Sequence, residues 1–317
     1  MKTLIAILVC LASATSWAQG YPSKPIRCIV PSSPGGGADT TARLVAAALP
    51  AVLGEQVVVE NRAGASGILG YEALQRSTPD GYTFAYISNF IATNPSMYAK
   101  LSYNFERDFR PVIFYFRGYN ILTVTPALPV TSVKELIDYA RANPDKLKFG
   151  SSGVGATPHL SMELFKSMTE TSLIHVPYKG TQQAVTDLIG GQIDIQCDNM
   201  ASMLPHVRSG RIRALAVTSL KRSAAIPELP TLDESGLPGY ELSGWSGFAV
   251  PAGVPRAVIM RLNAEINKAL ASPAVTKGLA ARGGVGQGGT PEDFAEHVRK
   301  ETERLGKLIR EVGIKPQ

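Results

Sequence analysis

Charge, sulfur and aromatic rings are all scarce in this sequence, and each scarcity narrows what the chain can be. Of 317 residues, 18% are charged and 7% are aromatic, and there are only three cysteines and four histidines. The histidines, at 159, 175, 206 and 297, form no close-spaced pair, so a metal site of familiar ligand spacing is not expected. No basic run interleaved with aromatics appears, which argues against a nucleic-acid partner. Nor does any segment approach the roughly 20 apolar residues that a membrane-spanning helix needs.

The N-terminus reads as an export signal. Lys2 supplies a positive start, Leu4 to Leu11 a short apolar stretch, and Ser16-Trp17-Ala18 the small residues of a cleavage site after Ala18. A retained membrane anchor is the alternative. Cys10 lies inside the apolar stretch behind Val9, a poor context for a lipoprotein. Residues 1–18 therefore read as a signal peptide and the mature protein as periplasmic. Taking Lys2 from the 32 basic residues leaves 31 against 26 acidic ones, a net +5. So mild an excess favours small anions only diffusely. Cys28 and Cys197 sit in separate apolar runs and read as buried free thiols, with a disulfide as the alternative.

What is present is an alternation of strands and helices. PIRCIV (25–30), Gln56 to Glu60 and YTFAYIS (82–88) read as strands with helices between them, the signature of parallel α/β construction. Around 112–125 the pattern changes to two extended pieces with no helix between them, as a hinge crossing would look. Ser132 and Glu135 form a capping-box pair before VKELIDYARAN. Strands at 173–177, 192–197 and 212–218 follow. The chain ends in helices at 255–271 and 273–281 and a long helix capped by Thr290, with Pro291 at its first position.

Two places resemble each other. IVPSSPGGGADT (29–40) and LKFGSSGVGATP (147–158) both run strand, glycine loop, helix, the second with Thr157 as N-cap and Pro158 as first helical residue. Each should present unpaired amides beside the positive end of a helix dipole, which is a small-anion site. Enzyme signatures fail. The first loop lacks the Gly-Lys-Ser/Thr ending of a nucleotide phosphate loop. Gly284 to Gly289 has GxGxxG spacing but follows a helix and reads as a loop. Gly244-Trp245-Ser246-Gly247 is one residue short of a nucleophile elbow. Neither catalysis nor a cofactor is expected.

The segments YPSKPIR, PGGGAD, VVVENRAGASG, PDGY, NPSMY, HVPYKG, DLIGGQID with a following DN, LPHVRSGRIRALAVTS, LPTLDESGLPGYE, PAGVP and TPEDF resemble, in this order, the Bug family, the periplasmic receptors of tripartite tricarboxylate transporters. The resemblance runs from residue 21 nearly to the C-terminus. It implies a type II periplasmic-binding fold of two α/β lobes around a cleft, with lobe 1 at about 21–121 and 244–317 and lobe 2 at about 122–243. The implied partners are a small carboxylate and the membrane permease subunits of the transporter, with the receptor itself a monomer.

Carried over from the family, the carboxylate grip falls on Pro34, Gly35, Gly36, Gly37, Ala38 and Asp39, and on Ser151, Ser152, Gly153, Ala156 and Thr157. Asp39 reads better as a helix cap than as an anion contact. Ser88 and Asn89 follow a strand and can face the cleft, and Phe90 can pack on a flat ligand or in the core. His159 reads as a distal carboxylate contact or a solvated side chain, and Tyr178 and Lys179 end a lobe 2 strand. Asp198 and Asn199 match the family's DN, and Trp245 reads as core or hinge. The segments SNFIATNPSMY and FYFRGYN tilt the ligand toward an aromatic mono- or dicarboxylate. A ligand sensor feeding a membrane signalling protein is the alternative function.

Overall fold

The computed structural model describes residues 20–314 and Pro316, so the expected signal peptide, its expected cleavage point and Cys10 lie outside the described residues. The chain runs β1 (Ile26–Val30), α1 (Gly37–Ala48), α2 (Pro50–Leu53), β2 (Val57–Asn61), a 3₁₀ turn (Ala65–Gly67) and α3 (Ile68–Gln75). β3 (Thr83–Ser88), α4 (Asn89–Met97), α5 (Phe105–Asp108) and β4 (Phe109–Val124) follow. Next come α6 (Val133–Ala142), β5 (Lys148–Ser151), α7 (Thr157–Thr169), β6 (Ile174–Pro177), α8 (Thr181–Ile189), β7 (Ile195–Asn199), α9 (Met200–Arg208) and β8 (Arg213–Val217). The last elements are β9 (Ser243–Pro251), α10 (Arg256–Ala271), α11 (Pro273–Ala280), β10 (Gly284–Gly286) and α12 (Pro291–Glu311).

The apolar IRCIV run makes β1 a central strand, parallel to β2 on one side and β3 on the other. Helices cover both faces, which is what a near-continuously apolar strand requires. β9 lies antiparallel between β3 and β4. In lobe 2, β5 lies parallel between β6 and β7.

β4 joins the two halves. The hinge crossing expected around 112–125 is there, its two extended pieces forming one continuous 16-residue strand. Up to Tyr119 it pairs with β9; from Asn120 onward it pairs with β7 and β8 instead. Its register slips between Pro111 and Ile113, between Phe114 and Phe116, and between Leu122 and Thr123. Such slips bend and twist a strand, and they let one ribbon serve two differently oriented sheets. The result is a type II periplasmic-binding fold of two α/β lobes. Cys28 in β1 and Cys197 in β7 are both free and buried, and burial pushes both thiols above their ordinary range.

Three local expectations need correction. Gly284 to Gly286, read as loop, is a short strand antiparallel to β4 opposite Phe116–Gly118. Glycine is needed there because a Cβ at Gly284 would lie 2.3 Å from the Arg117 carbonyl oxygen. α7 starts one residue early, with Ala156 as N-cap, Thr157 first and Pro158 second, so the Thr157 hydroxyl does not cap the helix. The Ser132 hydroxyl accepts the Glu135 N–H as expected, but the Glu135 carboxylate turns back to Thr131, accepting its N–H at 2.6 Å and its hydroxyl at 2.9 Å. The Thr290 capping box forms in full with Asp293.

Candidate functional site

A cleft of about 920 Å³ lies between the lobes, at the carboxyl ends of the parallel strands. This is where open α/β sheets place their ligands, because every strand-to-helix connection there aims a helix N-terminus inward. Among the described residues six helices begin at the cleft: α1, α3 and α4 from one lobe, and α7, α8 and α9 from the other. Only α9 has a side-chain cap, the Asn199 oxygen accepting the Ala201 N–H at 2.9 Å. The other five have none. Away from the cleft, α6, α11 and α12 are capped by Ser132, Ser272 and Thr290, whereas α2 and α10 have no side-chain cap. Uncapped first-turn amides need another acceptor, and here they converge on one space.

The first glycine loop is built around Asp39. Gly35 turns the chain with φ +78°, and its N–H donates to Asp39 Oδ2 at 2.9 Å. Asp39 Oδ1 accepts from Arg43 Nε at 2.9 Å and Asn61 Nδ2 at 2.8 Å. Burial would raise the Asp39 pKa, but these donors outweigh it and hold the carboxyl below its ordinary value. Asp39 thus faces inward and braces the loop. Pro34, Gly36, Gly37 and Ala38 line the cleft, whereas Gly35 and Asp39 do not. Among the described residues the N–H groups of Gly36, Gly37 and Ala38 have no protein acceptor.

The second loop divides the same way. Ser151 ends β5 with its hydroxyl against His175 Nε2 at 2.7 Å and is fully buried outside the cleft. His159, read as a carboxylate contact or a solvated side chain, is neither. It is buried, and its Nδ1 accepts the Gly155 N–H at 3.1 Å. Burial, followed by the neighbouring His175 and Lys166, lowers its pKa to about 3, so the ring is neutral. Ser152, Gly153, Ala156 and Thr157 line the cleft. The amides of Ser152, Val154 and Thr157 are free of protein acceptors among the described residues.

Ser88, Asn89 and Phe90, at the start of α4, reach the cleft, as do Tyr178, Asp198 and Asn199. Asn89 is committed to the chain crossing, its oxygen accepting the Trp245 N–H at 2.9 Å. Trp245 is both core and cleft wall, and its indole N–H donates to Glu301 at 3.1 Å. The Tyr178 hydroxyl donates to Asp187 at 2.7 Å; burial first, then that bond, pushes its pKa up to about 12. Asp198 and the exposed Lys179 are the only formally charged side chains in the wall among the described residues. Burial raises Asp198 to about 6 against hydrogen bonds from the Asn199 N–H and the Gln196 amide. No arginine lines the wall, so the groups available to an anion are backbone amides, the wall hydroxyls and Lys179.

Several cleft residues escaped the sequence reading. Ala63 to Gly67 line it, with Ala65 at φ +46° and Ser66 at φ +50°, a left-handed geometry that is strained for residues with a Cβ. Ser66 Oγ donates to the Val154 carbonyl of the other lobe at 3.3 Å. Gln182, at the start of α8, likewise donates across the cleft mouth to the Gly35 carbonyl at 3.3 Å. Both segments follow the strand–glycine–helix grammar already noted at the two main loops, and that was the usable signal. Tyr86, Phe116, Asn120 and Ser246 also face the cleft; they come from strand interiors, where only the topology reveals them.

Residues 41–314 match the tripartite tricarboxylate transporter family receptor. Protein BugT of Bordetella pertussis is 37% identical over 99% of this chain and 98% of its own. Rpa4515 of R. palustris, solved with adipate, is 38% identical with a TM-score of 0.91, over 94% of this chain and 100% of that one. MatC (Rpa3494) from Rhodopseudomonas palustris, with bound malate, is 28% identical with a TM-score of 0.85, over 91% and 100%. The chain belongs to the tripartite tricarboxylate transporter receptor family, the Bug-type periplasmic solute-binding receptors, whose members bind and transport.

Proposed function

We propose that this receptor captures a small dicarboxylate by closing its lobes on it and delivers it to the membrane permease subunits of a tripartite transporter. The observation that carries the reading is that the two glycine loops and the uncapped helices they lead into, α1 and α7, one from each lobe, line one cleft and hold six amides without a protein acceptor among the described residues. Hydrogen bonds to a charged acceptor contribute roughly 1.5–3 kcal/mol each, so a few amides per carboxylate suffice for useful affinity. Each lobe supplies half of the grip, so ligand favours the closed state, where both halves reach it. The bonds Ser66 to Val154 and Gln182 to Gly35 run between the lobes and support such a closure. In this reading the lobes are residues 21–121 with 244–317, and residues 122–243, the ligand contacts are the cleft-lining residues named above, and the receptor works as a monomer.

Adipate in Rpa4515 and malate in MatC support a dicarboxylate. Phe90, Tyr98 and Phe116 in the wall favour, as a second reading, an aromatic dicarboxylate whose ring packs on them. Mass spectrometry of ligand released from protein purified from its native host distinguishes the two. Deleting the gene should abolish uptake of the acid identified. Unchanged uptake with a lost transcriptional response would replace transport by sensing.

A further inference from the structure

The second glycine loop is held by a chain of side chains that never reaches the cleft. The rings of Phe149, His175 and His159 form a stack beneath it, with the imidazoles 4.0 Å apart at 19° and Phe149 4.8 Å from His175 at 17°. An N–H can only donate, so the 3.1 Å bond from the Gly155 amide makes His159 Nδ1 an acceptor. The proton of the neutral ring then resides on Nε2. That nitrogen faces Glu163 Oε1 at 3.7 Å, one helical turn along α7. Glu163 is nearly buried, and both of its oxygens accept from Lys166 Nζ at 2.9 Å. His175 from β6, and Glu163 and Lys166 from α7, are the titratable groups that face the His159 ring.

We infer that Lys166, Glu163 and His159 form a positioning relay that fixes one histidine tautomer and through it the direction of the Gly155 amide in the ligand-gripping loop. The lysine holds the carboxylate, the carboxylate favours the proton on Nε2, and the freed Nδ1 takes the Gly155 N–H. Gly155 has φ +76°, and a Cβ there would lie 3.0 Å from the Met97 side chain of the other lobe. A loop that close to the opposite lobe needs its amides fixed before the cleft shuts. With Gly155 committed to His159, the neighbouring amides of Val154 and Thr157 stay directed at the cleft. The role in affinity rests on the reading of this loop as a carboxylate grip; the tautomer and the Gly155 bond do not.

The test therefore has two arms. Nitrogen-15 NMR of the ligand-free protein at neutral pH should show His159 protonated at Nε2, with the Gly155 amide protected from hydrogen exchange. In His159→Phe, which keeps the ring stack but removes the acceptor, that protection should be lost. In Glu163→Gln the Nε2 preference should weaken. In the second arm, with adipate and malate as probes, His159→Phe should bind about tenfold more weakly, the equivalent of one hydrogen bond. His159→Asn, whose side chain places an acceptor near the Nδ1 position, should recover most of the loss. An Nδ1-protonated His159, or equal Gly155 exchange in wild type and His159→Phe, overturns the relay whether or not either acid binds. Wild type that binds neither acid, with the NMR signature intact, counts against the carboxylate reading alone. Equal affinity of wild type and His159→Phe overturns the relay's role in binding.

Discussion

At the scale of single residues, two carboxylates near the cleft do opposite things because their surroundings differ. Asp39 is depressed by its donors, so its contribution to stability is present above the ordinary carboxylate range and lost as pH falls through its folded value. Asp39→Ala should cost about 2 kcal/mol in urea unfolding, the scale of hydrogen bonds to a charged group. It should also weaken ligand binding, because the first loop loses its brace. Asp198 is raised to about 6 by burial, so it protonates in the folded state before it does in the unfolded chain. Its ionised form is a destabilising feature that disappears as pH falls through about 6. Ionised, it opposes an anionic ligand, so affinity for a dicarboxylate should rise on going from about pH 7.5 to about pH 5.5. In Asp198→Asn that dependence should vanish, with affinity at the higher pH improved by about fivefold. Calorimetric titration at the two pH values decides, and an unchanged slope in the variant would remove Asp198 from the ligand's surroundings. Glycines 36, 37 and 153 were legible in the sequence because their chemistry is that of the backbone. Asp39 and His159 were harder: a side chain's direction depends on its partners, and Asn61 for the one and His175 for the other become partners only through the fold.

At the scale of elements, the strand–loop–helix unit carries the account. β1 could be read from five residues because its neighbours on both sides are also apolar strands. The long final helix was marked by Thr290 and Pro291 and begins there. The start of α7 was misplaced by one residue because Ala-Thr-Pro suits a helix start in two registers, proline being tolerated at either of the first two positions. β10 gave no signal, since a run of glycines has no side-chain alternation to read. The two lobes come close at Gly37, where an added Cβ would lie 2.8 Å from Asn199 Oδ1, the atom that caps α9. Gly37→Ala should therefore resist closure, weakening ligand binding by about tenfold or more while leaving the ligand-free melting temperature within a few degrees. A large loss of ligand-free stability, or unaltered affinity, would show that the two lobes do not meet there.

At the scale of the whole molecule, the order of elements and the two-lobed plan were legible, and the relative placement of the lobes was not. β4 explains why. The missing helix marked a crossing around 112–125, but both sides of Tyr119 and Asn120 read alike, so the residue at which the pairing partners change was not marked. All four histidines have burial-lowered pKa values, His159 at about 3, His175 and His297 at about 4 and His206 also below its ordinary value, and they act globally. Unfolded histidine takes its proton near 6.5, so between about pH 6.5 and 4 the unfolded chain binds protons that the folded one refuses. Melting temperature should fall steadily across that window, and scanning calorimetry of the ligand-free protein checks it.

The central claim is that the cleft grips carboxylates through backbone amides contributed by both lobes. Its most direct test is calorimetric titration of the mature protein with adipate, malate and terephthalate, alongside adipamide, the uncharged diamide of adipate. The account predicts that at least one dicarboxylate binds with one-to-one stoichiometry and that the diamide does not. Binding of the diamide as tight as that of its acid, or no binding by any carboxylate, would contradict it.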